Sequence, residues 1–141
     1  FDPVKRAAAA VHAGWRGTAA VIAAVAVETL EREFGSCPAD LRAAVGPAIG
    51  KCCFETDSDV PAAMEAALGG LALPFMARAG EKWQLDLKAI NAAILARAGL
   101  SPERIDVSEA CTCCQHQRFW SHRFTKGERG SQAAVIMLTD G

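Results

Sequence analysis

The chain has no excess of positive charge, no long apolar run and none of the glycine signatures of the common nucleotide-binding folds. Lys and Arg number 15 against 16 Asp and Glu, so no net basic field gathers nucleic acid or anionic lipid. Neither nucleic acid nor membrane is an expected partner. The longest apolar stretch, Thr18 to Leu30, is alanine-rich and runs into the charged segment Glu28 to Glu33, which makes it too short and too weakly apolar for a membrane span. No basic segment followed by an apolar one opens the chain, so a cytoplasmic setting is expected. A Walker loop, G-x-G-x-x-G and G-x-S-x-G are all missing, which removes the usual phosphate-loop, dinucleotide and serine-hydrolase readings.

What is present suits one domain with a real core: 141 residues, 51% of them hydrophobic. Val4 to Val11 is a small-residue apolar run that predicts a buried strand delivering His12 to its end. Gly14 and Gly17 bracket Trp15-Arg16 as a tight turn, and Thr18 is placed to cap a helix reaching Phe34, where Gly35 stops it. Leu41 to Val45 reads as a short strand, Gly50 to Glu55 as a cysteine-bearing loop, and Val60 to Leu71 as a helix. Trp83 to Leu87 predicts a strand entering a helix over Lys88 to Ala98, which Gly99 ends. Ile105 to Val107 and Ala133 to Leu138 are further strand candidates. Irregular connections between these elements point to an α+β layered fold rather than regular βαβ alternation.

Three groups of residues carry chemistry. His12, followed by two glycines around Trp15 and Arg16, suits a site where backbone approaches a ligand closely and a guanidinium reaches an anion. A satisfied histidine in a tight turn, with Trp15 filling core, is the plainer alternative. Six cysteines include the adjacent pairs Cys52-Cys53 and Cys113-Cys114, and reduced thiols are expected rather than disulfides. Cys111, Cys113, Cys114 and His116, with Cys52-Cys53 elsewhere in the chain, offer enough soft ligands for a zinc site, and Cys111 and Cys114 stand in C-x-x-C register. No second C-x-x-C pair matches them at structural-zinc spacing and no strand-to-helix setting for a redox pair is evident, so ordinary buried or unreactive cysteines are the expected reading, with a structural-metal or redox site the alternative. Arg118, His122, Arg123, Lys126 and Arg129 interleave with Phe119 and Trp120, a pattern that serves either a base-and-phosphate surface or a solvated face.

His12-Ala13-Gly14-Trp15-Arg16-Gly17 resembles the H-A-G-W-R-G hallmark of the laccase-domain family, also called the multicopper polyphenol oxidase or peptidoglycan editing factor family. The resemblance runs through Gly46-Pro47-Ala48-Ile49-Gly50 with Cys52-Cys53-Phe54-Glu55, through Leu85-Asp86-Leu87, and through Cys111-Thr112 with Phe119-Trp120-Ser121 and Arg123. It implies a layered α/β/β/α sandwich with mixed sheets, the cytotoxic-necrotizing-factor-like cysteine hydrolase fold. It also implies a zinc-dependent purine nucleoside phosphorylase acting on adenosine, inosine and methylthioadenosine with phosphate, together with adenosine deaminase activity. His12 matches the last of three metal ligands. The other two, a cysteine in an A-D-C segment and an earlier histidine, match nothing here, so residues 1–141 are expected to be a single laccase-type domain lacking its N-terminal part.

Arg16 and Arg123 are the candidate phosphate-binding groups, with Arg16 and His12 as the catalytic pair. Zinc is the expected metal; copper is the second choice, because three histidines cannot furnish the several copper sites of a multicopper oxidase. The family also permits a peptidoglycan precursor editing hydrolase that uses a Cys/His pair. A non-enzymatic cysteine-rich metal-binding module is the third reading. His122 stands where the family usually has Tyr, Phe124 replaces a frequent second Arg, and Gly130-Ser131 stands at the late G-R pair with Arg129 displaced.

Overall fold

A computed structural model describes residues 1–139. Its α+β architecture comprises helices α1 (Trp15–Ala19), α2 (Ile22–Phe34), α3 (Asp59–Leu68), α4 (Leu87–Arg97) and α5 (His122–Thr125), with strands β1 (Ala43–Val45), β2 (Glu55–Thr56), β3 (Met76–Ala79), β4 (Lys82–Leu85) and β5 (Ile105–Val107). Strands β1 and β5 pair in parallel, while β2, β4 and β3 form an antiparallel sheet in that order. The α+β expectation from sequence therefore holds, with parallel and antiparallel pairing side by side.

The β3–β4 pairing was not foreseen. Ala79 opposes Lys82 across a two-residue connection in which Gly80 takes φ +63°, a left-handed conformation glycine adopts without cost. β4 then runs directly into α4 through Asp86, whose carboxylate accepts the Ala89 N–H at 3.0 Å and so satisfies one of the unpaired donors of the first turn. At the far end Gly99, at φ +104°, ends the helix as expected. Gly69, at φ +56°, closes α3 at Leu68, and Gly69–Leu71 continue only as a single 3-10 turn.

Three expected elements are corrected. The strand over Val4 to Val11 is absent: Asp2 and Ala7 exchange backbone hydrogen bonds at 2.8 and 3.2 Å around a loop in which the Asp2 carboxylate accepts the N–H groups of Val4 and Lys5. Beyond Ala7 the chain reaches His12 without a neighbouring strand, and Val11 is exposed. The expected helix from Thr18 to Phe34 starts earlier, at Trp15, and breaks at Val21. That residue sits in the left-handed region at φ 51°, ψ 34°, a strained position for a β-branched side chain. The break separates α1 from α2, and both pack against α4. The strand over Ala133 to Leu138 is likewise absent; Val135 is 84% and Met137 73% exposed, and an apolar segment without a partner gains nothing from extended pairing.

Two clusters of buried side chains hold the chain together. One gathers Phe54, Val60, Met64, Leu68, Leu85, Leu87, Ile90 and Ile94 around α3, α4 and the antiparallel sheet. The other gathers Ala7, Val27, Leu30, Leu41 and Leu100 beneath α2 and the parallel pair, and Leu95 touches both. Helix α4 therefore sits between the two cores. Its polar groups reach outward from there. Buried Lys88 donates to the carbonyls of Ser108 and Ala110; buried Asn91 donates to the Thr18 hydroxyl at 2.9 Å. One helix thus fixes the backbone just before Cys111 and the helix just after His12.

Candidate functional site

His12 ends the unpaired segment and is exposed. Its ring lies against Gly14, where an added Cβ would stand 3.2 Å from the imidazole Nε2; at Gly17 an added Cβ would stand 3.3 Å from the His12 carbonyl oxygen. Each glycine relieves a close approach of His12: at Gly17 the neighbour is a backbone oxygen, whereas at Gly14 it is the end of an exposed side chain that can move aside. The tight turn expected around Trp15-Arg16 is instead the first turn of α1, with Gly14 before it and Gly17 within it, closed by the Thr18 N–H on the Gly14 carbonyl at 2.8 Å. Arg16 is exposed, and its guanidinium stacks on the Trp15 ring at 4.3 Å. This contact supports the guanidinium from one side and leaves its donors to solvent or an anion.

No set of three metal-donor side chains among the described residues includes His12. Zinc bound at His12 needs ligands that these residues do not bring to it.

The cysteines do converge. Cys52, Cys53, Cys111 and Cys114 place their four sulfur atoms within 4.8 Å of one another, where a metal ion can bind. Cys114 Sγ lies 3.6 Å from Cys52 Sγ and 3.5 Å from Cys53 Sγ, and all six cysteines of the chain are free thiols. The two segments meet because Ala48 and Cys111 form a parallel bridge, with the Thr112 N–H on the Ala48 carbonyl at 3.0 Å. Cys111 is buried and receives the Gly50 N–H at 3.2 Å. Burial alone would raise its pKa, yet the N–H groups of Cys114, Gly50 and Cys113, with the Cys52 thiol, bring it down to about 6. Burial, followed by hydrogen bonding to Cys114, pushes the Cys52 and Cys53 thiols up.

Gly50 makes the approach of the two segments possible. A Cβ there would lie 3.1 Å from Cys111 Cβ and 3.3 Å from Cys52 Sγ. Gly50→Ala is expected to destabilise the chain by about 1–3 kcal/mol, the usual cost of overpacking, seen as a lower denaturation midpoint in urea. An unchanged midpoint would show that the loop yields freely.

Arg123 sits at this cluster rather than at the His12 turn. Its two terminal nitrogens donate to the carbonyls of Cys53 at 3.0 Å and Glu55 at 2.8 Å, and the guanidinium lies 6.0 Å from the Phe54 ring centroid. It fastens the cysteine loop while three of its five N–H groups remain for another partner. Other basic and aromatic residues of this region make local contacts, among them Arg118 with the Phe119 ring at 5.5 Å. Arg118 bonds Gln115 at 3.2 Å, His116 packs edge-on against Phe124, and Trp120, 53% exposed, lies over Gly130.

A mixed α+β chain in which four cysteine sulfurs converge where a metal ion could bind and a histidine precedes a glycine-relieved helix start has the fold and donor set of a candidate metalloprotein. More particularly, the chain belongs to the multi-copper polyphenol oxidoreductase laccase family, whose family model matches residues 1–139. It is 37% identical over 140 residues to a Bacillus subtilis protein named purine nucleoside phosphorylase YlmD, covering 99% of this chain and 50% of that protein. A protein of an unknown prokaryotic organism named adenosine deaminase RL5 is 38% identical over 113 residues, covering 79% of this chain and 43% of that protein. Among solved structures, the Bacillus licheniformis hypothetical protein YfiH superposes with a TM-score of 0.87 at 38% identity, covering 91% of this chain and 48% of that one. The chain spans about half the length of the curated relatives it matches. No helix among the described residues is long and apolar enough to cross a membrane.

Proposed function

We propose that the complete protein containing this chain is a cytoplasmic, zinc-dependent purine nucleoside phosphorylase that accepts adenosine, inosine and methylthioadenosine and also deaminates adenosine. The observation that carries this reading is kinship: a relative named purine nucleoside phosphorylase aligns with 99% of the chain, and one named adenosine deaminase aligns with 79%. The geometry adds an exposed histidine and an exposed, ring-backed arginine on one turn. In the same reading the complete protein takes the layered α/β/β/α sandwich of the cytotoxic-necrotizing-factor-like hydrolases, and residues 1–141 are part of one laccase-type domain.

In phosphorolysis a phosphate oxygen forms a bond to the anomeric carbon while the glycosidic C–N bond breaks and its electron pair passes to the purine. Arg16 holds and orients the phosphate through its forked donors. Arg123, the second expected anion contact, stands at the cysteine loop on the Cys53 and Glu55 carbonyls, so a contact from it to the phosphate requires the substrate to reach from the His12 segment to that loop. His12 is one ligand of the zinc ion, with copper the second choice; the described residues bring no further ligands to it, so its other ligands come from the rest of the complete protein.

The test is direct. The complete protein, given inosine and phosphate, is expected to release hypoxanthine and ribose 1-phosphate; given adenosine alone, it is expected to release inosine and ammonia. Base release that does not depend on phosphate overturns the phosphorylase reading. Release of an amino acid from a cell-wall precursor, without nucleoside turnover, would instead select the peptidoglycan editing hydrolase.

A further inference from the structure

We propose that Cys52, Cys53, Cys111 and Cys114 form a tetrathiolate site for one soft metal ion, Zn²⁺ or Cu(I), separate from the metal assigned to His12. A zinc–sulfur bond of about 2.3 Å places tetrahedral sulfurs roughly 3.8 Å apart. The Cys114 contacts of 3.6 and 3.5 Å and the 4.8 Å limit on all four sulfurs already approach that figure, so closure around an ion needs shifts of about 1 Å or less. A disulfide fits the arrangement less well. Cys114 is almost equally distant from Cys52 and Cys53 and can bond only one of them, leaving the other two thiols without a role.

The surroundings are those of a metal ligand set. The Gly50 N–H points at Cys111 Sγ at 3.2 Å, and such donors hold a thiolate in place and orient it. A side chain at Gly50 would crowd Cys111 and Cys52, its Cβ standing 3.1 Å from Cys111 Cβ and 3.3 Å from Cys52 Sγ. Turns in both segments present the sulfurs: the Cys53 and Phe54 N–H groups close on the Gly50 carbonyl at 3.0 and 2.9 Å, and the Gln115 N–H closes on the Cys111 carbonyl at 2.9 Å. Arg123, bonded to the Cys53 and Glu55 carbonyls, supplies positive charge beside a site that four thiolates and Zn²⁺ would leave with a charge of about −2. Four sulfur ligands and no carboxylate select a soft ion, and binding displaces the protons of the remaining thiols. Bound metal clamps the loop before β2 to the segment after β5, and through Cys53 it fixes Arg123.

The experiment uses the complete protein purified without oxygen, stripped of metal and refilled with Zn²⁺ alone, with Co²⁺ as a spectroscopic substitute and with Cu(I) in competition. Cys114→Ser, at an exposed position, is expected to lose one metal equivalent per chain and the corresponding thiolate-to-cobalt absorption. Cys113→Ser and Cys37→Ser should keep both. His12→Ala should keep the tetrad's ion, so failure of the proposed activity and failure of this site are read separately. Zn²⁺ content unchanged in Cys114→Ser, equal loss in Cys113→Ser, or a disulfide from Cys114 to Cys52 or Cys53 in the anaerobic protein would each overturn the assignment. The competition with Cu(I) decides which of the two ions the site prefers.

Discussion

His12→Ala in the complete protein is expected to lower kcat/KM for phosphorolysis of inosine by about 10³-fold and to release the metal assigned to His12. A loss of that size corresponds to about 4 kcal/mol of transition-state stabilisation. The position makes the result readable. His12 is exposed, so truncating it leaves no internal cavity, and the folding free energy, compared between the metal-free proteins, should change by no more than about 0.5 kcal/mol. A large fall in turnover with an unchanged thermal transition therefore reports on chemistry. Full activity in the variant, with metal retained, would remove His12 from the site altogether. The turn offers no substitute, since Gly14, Gly17 and Ala13 carry no ligating atom and Arg16 is a cation.

The glycines at positions 14 and 17 are legible as points of close approach, but the tight turn expected between them is the start of α1, and what approaches them is His12 itself. Helix ends were legible on the same principle at Gly35 and Gly99. Strand pairing was not. The apolar runs Val4 to Val11 and Ala133 to Leu138 show an appetite for burial, but a strand also needs a neighbour to receive its hydrogen bonds, and composition does not name one. Ala8, Ala9 and Val11 instead line a shallow apolar hollow with Ile22, Val25 and Phe34. Nor does local sequence mark the break at Val21, since valine there is a sound helix residue until tertiary packing forces its backbone into the left-handed region.

The cysteines show the same limit from the other side. The C-x-x-C register of Cys111 and Cys114 and the soft-ligand character of Cys52-Cys53 are legible in the sequence, but their convergence is not, because no second C-x-x-C pair stands at structural-zinc spacing. Cys52-Cys53 lies 61 and 62 positions away from Cys114 and meets it only because Ala48 bridges Cys111. Adjacent cysteines point to opposite sides in an extended strand, which argues against a shared ligand. In the turn they occupy, both reach the same point. Arg123 was singled out as an anion contact, and the geometry shows a first use that no spacing rule discloses: it holds two carbonyls of the cysteine loop.

Ile90→Ala is expected to cost about 2–5 kcal/mol, against total stabilities of roughly 5–15 kcal/mol for domains of this kind. Ile90 is fully buried on α4 among the side chains that join α3 to the antiparallel sheet, and the helix continues into contact with the second core through Leu95. Its neighbours cannot close readily on a cavity there, because the opposite face of the same helix is tied down by Lys88 to Ser108 and Ala110 and by Asn91 to Thr18. Urea unfolding should show a lower midpoint with an unchanged slope, and Ile90→Val should cost only about 0.5–1.5 kcal/mol. A cost below about 1 kcal/mol for the alanine variant would mean that the core re-closes and that α4 is less central than its contacts indicate. If the full cost is observed, both the His12 turn and the cysteine tetrad inherit their positions from one helix, since Thr18 follows the first by six residues and Ala110 immediately precedes the second.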